Sequence, residues 1–335
     1  MSKAMILTVA RPVWHALPSP VKLRLKPLAR RALGVRTPAA ATGAPIATDG
    51  GSVAAYWTDH NVTLHQRFAS RQESLDYFHW RCDQYPGYLD LMPVSGQDGK
   101  DILDFGCGPG NDLVGFAEYS KPRSITGCDV STASVAEAKR RMELHATTPC
   151  NVIVLDAQAT TLPFADAQFD YIHSSGVLHH VVDLPATMAE LRRILKPGGT
   201  MRVMVYHTDS IWMHLYVAHI LRLRDATIPK TLPIKQAFTR STDGPQCPIA
   251  NCYTYEEFAA IAQQAGLGAS FRGVACSLFE RKLVQQSLND AAMDLRLEAP
   301  HRQFLLELTF DAQLNPIYRG KKAGIDLVIE LTRPL

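Results

Sequence analysis

The sequence predicts a doubly wound α/β domain, in which helices cover both faces of a largely parallel β-sheet. Between Asp101 and Tyr206, short apolar runs that suit buried strands alternate with segments of helical periodicity. The first apolar run ends in the glycine-rich turn Gly106–Gly110, which suits a strand that passes into a helix beside a ligand. A chain of 335 residues is long enough for this domain and for extensions around it.

Five strands are predicted before the alternation ends, at 102–105, 124–128, 151–155, 169–173 and 200–206. A helix is predicted at 111–119, and Ser131 and Asp183 stand where helix N-caps belong. Lys196-Pro197-Gly198-Gly199 is expected to end the helix that Asp183 begins. Because helices connect successive strands, the strands should be parallel and joined by right-handed crossovers.

The pattern changes after the fifth strand. Residues 207–252 are predicted to be an insertion without strands, followed by a helix at 255–265 and a sixth strand at 267–276. A second insertion is predicted at 277–322, and the last strand at 325–332. Before the sheet, residues 56–97 are rich in aromatic side chains and are predicted to form a packed helical segment, which we call the lid segment.

The N-terminal 48 residues carry eight basic and no acidic residues, which leaves 27 basic and 32 acidic residues in the rest. Three interpretations of this basic leader are open: a solvated extension, a contact with an anionic membrane surface, or an organelle transit peptide. Residues 34–55 are rich in Ala, Gly, Pro and Thr, so the leader and linker together are predicted to span 1–55.

The cysteine pattern gives no sign of a disulfide framework. Seven cysteines are scattered without a Cys-x-x-Cys pair, and Cys247 and Cys252 have no second pair nearby in sequence. We therefore expect no metal, and a reducing, cytoplasmic location. No apolar run reaches the length of a membrane-spanning helix.

The turn that follows the first strand reads Asp104-Phe105-Gly106-Cys107-Gly108-Pro109-Gly110. It lacks the sixth-position glycine of the dinucleotide-binding pattern, because Asn111 stands there. A carboxylate at Asp104 would repel a pyrophosphate but attract an ammonium or sulfonium group, so a cationic ligand is favoured. Asp129 and Asp156 end the second and third strands, at the sheet edge where such folds bind ligands. Either acid alone could instead be a helix cap.

These motifs resemble the class I, Rossmann-like S-adenosylmethionine-dependent methyltransferases of the small-molecule type. The resemblance covers about residues 98–206 and includes Leu162-Pro163-Phe164, Gly176-Val177-Leu178-His179-His180 and Leu195-Lys196-Pro197-Gly198-Gly199. It implies a methyltransferase domain at 98–335 and a seven-stranded sheet of order 3-2-1-4-5-7-6, with strand 7 antiparallel. It also implies S-adenosyl-L-methionine as the cofactor.

The resemblance assigns roles around the cofactor. Asp104 and Gly106 are expected to face the methionine amino group, Asp129 the ribose, and Asp156 with Ala157 the adenine. Ser174 to Gly176 are expected along the methionine. The cofactor-binding residues are therefore predicted to be Asp104, Gly106, Gly108, Gly110, Asp129, Val130, Asp156, Ala157, Ser174 and Tyr56.

The acceptor side is predicted less sharply. His180 or His179 is a candidate general base, because imidazole titrates near neutral pH, although either could be structural. Trp57, Arg240 and Tyr253 are candidate substrate contacts, and Arg240 would suit an anionic acceptor. The alternative is that the lid segment, which carries Trp57, and the insertion 207–252, which carries Arg240 and Tyr253, both pack away from the cofactor. The lid segment and the insertion 207–252 are expected to cover the cleft together.

The predicted function is methyl transfer by in-line displacement to a small molecule or a lipid-like, prenyl metabolite. Methylation of a protein or nucleic acid, or cofactor binding without catalysis, are the alternatives. The acidic body of the chain argues against nucleic acid. The Asn/Asp-Pro-Pro-Tyr sequence of base methylation is absent, and Ser174-Ser175-Gly176-Val177 stands in its place. A homodimer and a peripheral membrane contact through the leader are left open.

Overall fold

The computed structural model describes residues 48–63 and 66–335. The basic leader and most of the predicted linker lie outside the described residues, so the three interpretations of the leader stay predictions. Within the described part, no helix combines the length and apolarity needed to cross a bilayer.

Three helices precede the sheet: α1 (Gly50–Asp59), α2 (Arg71–Asp83) and α3 (Tyr88–Leu91). The predicted linker extended to residue 55, but helix α1 already begins at Gly50. Asp49 explains the earlier start, because its carboxylate accepts a hydrogen bond from the backbone N–H of Ser52 (2.9 Å) and so caps the helix. The helical character predicted for the lid segment is confirmed in α2 and α3.

The predicted alternation of strands and helices is present from Asp101 to Tyr206. Its elements are β1 (Asp101–Phe105), α4 (Asn111–Tyr119), β2 (Ser124–Asp129), α5 (Thr132–His145), β3 (Cys150–Val154), β4 (Phe169–Ser175), a 3₁₀ turn (Leu178–His180), α6 (Leu184–Ile194) and β5 (Leu195–Tyr206). One boundary differs. Lys196–Gly199 is predicted to end the helix that Asp183 begins, but it forms part of β5. The register between β4 and β5 is irregular here, which accommodates the additional residues of β5.

The insertion after β5 forms a π-helix (Trp212–Arg224) and α7 (Ile234–Thr239). The chain then returns through α8 (Tyr255–Gln264) to β6 (Gly268–Ala275). The second insertion contains α9 (Leu278–Met293), α10 (Ala299–Leu306) and a small antiparallel sheet of β7 (Thr309–Phe310), β8 (Pro316–Tyr318) and β9 (Lys321–Lys322). Strand β10 (Asp326–Thr332) ends the fold.

The main sheet has the order β3-β2-β1-β4-β5-β10-β6, and β10 is antiparallel to both of its neighbours. Because β10 is the seventh strand of this sheet, the predicted order 3-2-1-4-5-7-6 is confirmed. Phe105 is in register with Cys128, and Asp129 with Val154. The carboxyl ends of β1, β2 and β3 therefore meet at one edge, which brings the glycine turn beside Asp129 and Asp156.

One buried side chain ties the lid segment to the sheet. Arg141 on α5 is almost fully buried, and its guanidinium donates to Ser74 Oγ on α2 (2.8 Å) and to the carbonyl of Pro109 in the glycine turn (3.2 Å). Phe78 on α2 adds apolar packing, because it is fully buried in the cluster that covers this face of the sheet. Helix α2 is thus fixed directly above the turn.

Candidate active site

The three glycines of the turn serve different purposes. A Cβ on Gly106 would lie 2.3 Å from the side chain of Val177, and one on Gly110 would lie 3.1 Å from Cα of Ala138 on α5. Gly108 has φ +50° and no heavy atom within 4 Å of the position of its missing Cβ. Two glycines therefore permit close packing, whereas Gly108 leaves open space against which a ligand can lie.

Asp129 holds this turn in place. Its Oδ2 accepts a hydrogen bond from Gly108 N–H (2.9 Å) and its Oδ1 accepts one from Ser131 N–H (2.8 Å). Burial raises the pKa of Asp129 despite these bonds. Each carboxylate oxygen has two lone pairs, so both can also accept from a ligand hydroxyl.

A cavity of about 690 Å³ begins at this turn and extends to the ends of β4 and β5. Its volume lies within the range of ~300–1,000 Å³ that is usual for ligand pockets. The cavity brings together most of the predicted site residues, namely Trp57, Gly106, Gly108, Asp129, Val130, Asp156, Ala157 and His180.

Several predicted cofactor residues lie just outside the cavity lining. Asp104 is only 2% exposed, and its Oδ2 has no hydrogen-bond partner. Burial, together with the charges of Asp112 and Asp129, raises the pKa of Asp104 well above its usual value. Ser174 is fully buried, and its neighbour Ser175 lines the cavity instead, because successive strand residues face opposite sides. Gly110 begins helix α4 behind the turn.

Asp112, in the first turn of α4, lines the cavity where Asp104 does not. Its Oδ2 accepts from the hydroxyl of Tyr88 (3.0 Å) and lies 3.4 Å from His173 Nε2. Burial alone would raise the pKa of Asp112, but the contact with His173 and the charge of Arg81 hold it below its usual value. Sequence reasoning missed Asp112, although an acid in a first helical turn beside a ligand loop was the available signal.

Helices α1 and α2 form one wall of the cavity with Trp57, Tyr77, Trp80, Arg81, Gln84 and Tyr85. Tyr56, predicted to contact the cofactor, is not in this wall. Its hydroxyl donates to the carbonyl of Asp243 (2.5 Å), and its ring stacks on His60 with 4.2 Å between centroids. Tyr56 therefore links the insertion after β5 to α1, and its neighbour Trp57 lines the cavity instead.

His180 lies at the far end of the cavity, in the 3₁₀ turn after β4. Its Nδ1 is 2.5 Å from the carbonyl of Ile249, and its Nε2 is 3.6 Å from Asp243 Oδ2. Trp57 packs against the imidazole, with 4.8 Å between ring centroids. Burial lowers the pKa of His180, although Asp243 opposes this effect. The ring therefore favours the neutral form, with a proton on Nδ1 and a lone pair on Nε2.

His179, the other candidate base, does not belong to the site. Its side chain is fully buried, neither ring nitrogen has a hydrogen-bond partner, and its ring packs on Tyr206 with 3.8 Å between centroids. Burial and the neighbouring His180 lower the pKa of His179 well below its usual value. The prediction fails for His179 because the 3₁₀ turn directs successive side chains to different sides, so only one imidazole can face the cavity.

The two predicted acceptor contacts in the insertion are replaced by a neighbour. Among the described residues, Arg240 and Tyr253 are absent from the cavity lining, and the Tyr253 ring packs on Phe258. Asp243 lines the cavity instead and accepts from the hydroxyl of Tyr206 (3.0 Å to Oδ2). The sequence does not single out Asp243, because Ser241-Thr242-Asp243-Gly244 is typical of a turn and nothing local to it indicates that β5 supplies a tyrosine partner.

The arrangement suits a ligand with two chemically distinct ends. Near Asp129 it offers carboxylate acceptors for hydroxyl groups and open space over Gly108. Near Asp112 and Arg81 it offers one anionic and one cationic group, which suit the ammonium and carboxylate of an amino acid. S-adenosylmethionine carries all of these groups, so the residues present fit this cofactor.

Comparisons with known proteins agree with this chemistry. Residues 102–199 match a family model described as "Methyltransferase domain". The chain is 26% identical over 179 residues to a ubiquinone/menaquinone biosynthesis C-methyltransferase from Paracoccus denitrificans, which covers 52% of this chain and 69% of that protein. It is 37% identical over 112 residues to an uncharacterized 37.1 kDa transposon protein of Streptomyces fradiae, which covers 33% of this chain and 31% of that protein.

Among solved structures, a geranyl diphosphate C-methyltransferase from Streptomyces coelicolor superposes with a TM-score of 0.49 and 16% identity, covering 87% of this chain and 100% of that one. The chain spans about half the length of most curated relatives that it matches. The matched segment 102–199 contains the glycine turn, Asp129, Asp156 and His180. Residues 102–199 of the chain therefore match a methyltransferase domain, in the segment where the sequence resembles this class of enzyme.

Proposed function

We propose that the protein transfers the methyl group of S-adenosylmethionine to a small molecule that binds in the same cavity. The observation that carries the proposal is the continuity of this cavity. It joins Gly108 and Asp129 at one end to His180, Tyr206 and Asp243 at the other. Two reactants bound in one cavity can be aligned for direct displacement, which replaces a bimolecular encounter by a preorganised one.

The residues that would hold the cofactor follow from their positions. Asp129 would accept from the ribose hydroxyls, and Asp156 with Ala157 would border the adenine. Asp112 would take the amino group of the methionine, in place of the more deeply buried Asp104, and Arg81 its carboxylate. When bound, the cofactor supplies an electrophilic methyl group whose leaving sulfur needs no acid.

The opposite end of the cavity would receive the acceptor. Tyr85, Tyr206, Asp243 and Asp326 line this end, together with His180. The carboxylates and the lone pair of His180 Nε2 are hydrogen-bond acceptors, so they favour a substrate with a hydroxyl or amine group over a wholly apolar prenyl chain. His180 is the one predicted catalytic residue in a position to touch the acceptor, and its role stays a proposal.

The lid segment gives the site its water-excluding wall. Trp57 from α1, Trp80 from α2 and Tyr85 just after α2 line one side of the cavity. Aromatic faces are electron-rich and attract cations, which suits a sulfonium group. Removing water strengthens the electrostatic interactions within the site. A cavity with this wall supports a small acceptor over a folded protein or a nucleic acid.

The cysteines support a cytoplasmic location. All seven are free thiols, and six of them are buried. Free thiols persist in reducing compartments.

The proposal is tested by label transfer from S-adenosylmethionine carrying a radioactive methyl group. Full-length protein would be incubated with the cofactor and a cell extract that is separated into small molecules, proteins and nucleic acids. We expect label in the small-molecule fraction, and less of it with His180→Ala. Label confined to a macromolecular fraction would contradict the proposal. Cofactor binding without any transfer would favour a non-catalytic binding protein.

A further inference from the structure

We propose that His180, Asp243 and Cys247 form a binding site for one divalent metal ion of the zinc type, at the acceptor end of the cavity. One ligand atom from each of the three side chains lies within 4.8 Å of the others. Imidazole, carboxylate and thiolate are the ligands that zinc uses in proteins. This site could not be predicted from the sequence, because two of its members follow β5 in an irregular loop and the third follows β4.

The spacing of the ligand atoms suits one ion. A tetrahedral zinc ion at ~2.0–2.2 Å from nitrogen and oxygen holds those two atoms about 3.4 Å apart. His180 Nε2 and Asp243 Oδ2 are 3.6 Å apart, so this pair needs a shift of only a few tenths of an ångström, and Cys247 Sγ lies within 4.8 Å of both atoms. Cys247 is fully buried, and its thiol donates a hydrogen bond to the carbonyl of Ile249 (3.3 Å), which it would give up on binding a metal as the thiolate.

The hydrogen bonds around His180 point to the same conclusion. Its Nδ1–H is directed at the carbonyl of Ile249 (2.5 Å), which fixes the ring and leaves the lone pair on Nε2. Metal-binding histidines are oriented in this way in most proteins. In the neutral ring this lone pair faces the carboxylate of Asp243 (3.6 Å), and two acceptors in this position need either a proton or a metal ion between them. A cation between them removes this repulsion.

The hydrogen bonds of Asp243 hold its carboxylate in a position from which it could bind the ion. Asp243 is steadied by the hydroxyl of Tyr206 (3.0 Å to Oδ2), and its backbone carbonyl accepts from Tyr56 (2.5 Å). His180 and Asp243 line the cavity, whereas Cys247 does not. Three protein ligands with one side toward the cavity leave a coordination position for an oxygen or nitrogen of the acceptor. This inference rests on the proposed function and deepens it: with the ion bound, the ion rather than the lone pair of His180 Nε2 would bind a hydroxyl or amine of the acceptor.

The test uses full-length protein that has been stripped with a chelator and then dialysed against ZnCl₂, or against CoCl₂ for spectroscopy. We expect one metal ion per chain and, with cobalt, a sulfur-to-metal absorption band. Cys247→Ser should abolish this band and weaken zinc binding at least ~100-fold, since loss of a group that merely hydrogen-bonds a metal ligand already costs ~10–100-fold. His180→Ala should weaken binding to a similar extent.

The matched control is Cys252→Ser, because Cys252 is also buried in the same insertion but lies outside the cluster. It should keep both the band and the affinity. Binding of S-adenosylhomocysteine shows whether each variant is folded. If Cys247→Ser no longer binds S-adenosylhomocysteine, the loss of metal binding is judged from His180→Ala instead. Wild-type protein that retains no stoichiometric metal, or a cobalt band that persists in Cys247→Ser, would overturn the metal site. Cofactor binding and methyl transfer by metal-free protein would leave the proposed function standing.

Discussion

Replacing Asp129 by alanine should weaken cofactor binding without unfolding the domain. In the folded protein its carboxylate holds the N–H groups of Gly108 (2.9 Å) and Ser131 (2.8 Å), so it shapes the turn as well as facing the ligand. Hydrogen bonds to a charged group contribute about 1.5–3 kcal/mol each, but water replaces part of what is lost. We therefore expect a loss of about 1–3 kcal/mol in binding free energy, or roughly 5–150-fold in Kd.

The assay is calorimetric titration with S-adenosylhomocysteine, which binds without reacting. Asp129→Asn should fall between wild type and Asp129→Ala, because the amide retains one oxygen acceptor for the hydroxyls. Asp290→Ala is the matched control, since Asp290 is exposed on α9 and does not line the cavity. An unchanged Kd in Asp129→Ala, with cooperative melting preserved, would refute the role assigned to Asp129.

Three further predictions concern the turn, a buried acid and the acceptor end. Gly110→Ala should lower the free energy of unfolding by about 1–3 kcal/mol in a denaturant titration, because its Cβ would crowd Ala138 at a φ of +80°. Gly96→Ala shares the positive φ but meets nothing within 4 Å, so it should cost less; equal costs would refute the packing argument. Burial raises the pKa of Glu280 to about 7, above its value in the unfolded chain. The folded state then binds the proton more tightly than the unfolded chain, so the free energy of unfolding should fall as pH rises from about 4.5 to 7. Glu280→Gln should remove about 2–3 kcal/mol of that fall between pH 5 and 8. Parallel plots of unfolding free energy against pH for wild type and variant would contradict this. His180→Ala should reduce label transfer at least ~10-fold while leaving the Kd for S-adenosylhomocysteine within about twofold; a loss of cofactor affinity instead would assign His180 to the cofactor.

The sequence was sufficient for the sheet and for much of the cofactor end. The strands that carry Asp104, Asp129 and Asp156 are short apolar runs with clear ends, and a parallel sheet aligns their carboxyl ends whatever else the chain does. Local signals also fixed the helix starts at Ser131 and Asp183, because capping depends on residues only a few positions apart.

The acceptor end could not be predicted in the same way, because its contacts join distant parts of the chain. Asp243 reaches the cavity through contacts with Tyr56 and Tyr206, which are 187 and 37 residues away. Periodicity gives no information about such pairings. For the same reason Arg81, one of several polar residues on an aromatic-rich helix, could not be distinguished from its exposed neighbours.

Strand parity explains another misassignment. Ser174 and Ser175 are chemically identical in sequence, and the choice between them depends on which face of β4 is turned to the cavity. A one-residue change in phase reverses this choice. The family resemblance points to the segment Ser174 to Gly176, and in the packed sheet Ser175 lines the cavity, with its hydroxyl 2.9 Å from that of Tyr88.

The central claim is that one cavity holds both the cofactor and the acceptor. A crystal structure of the full-length protein with S-adenosylhomocysteine tests it most directly. We expect the ribose on Asp129, the adenine beside Asp156 and Ala157, and the sulfur directed along the cavity toward His180 and Tyr206. A ligand bound elsewhere, or a sulfur separated from His180 by protein atoms that close the cavity, would contradict it.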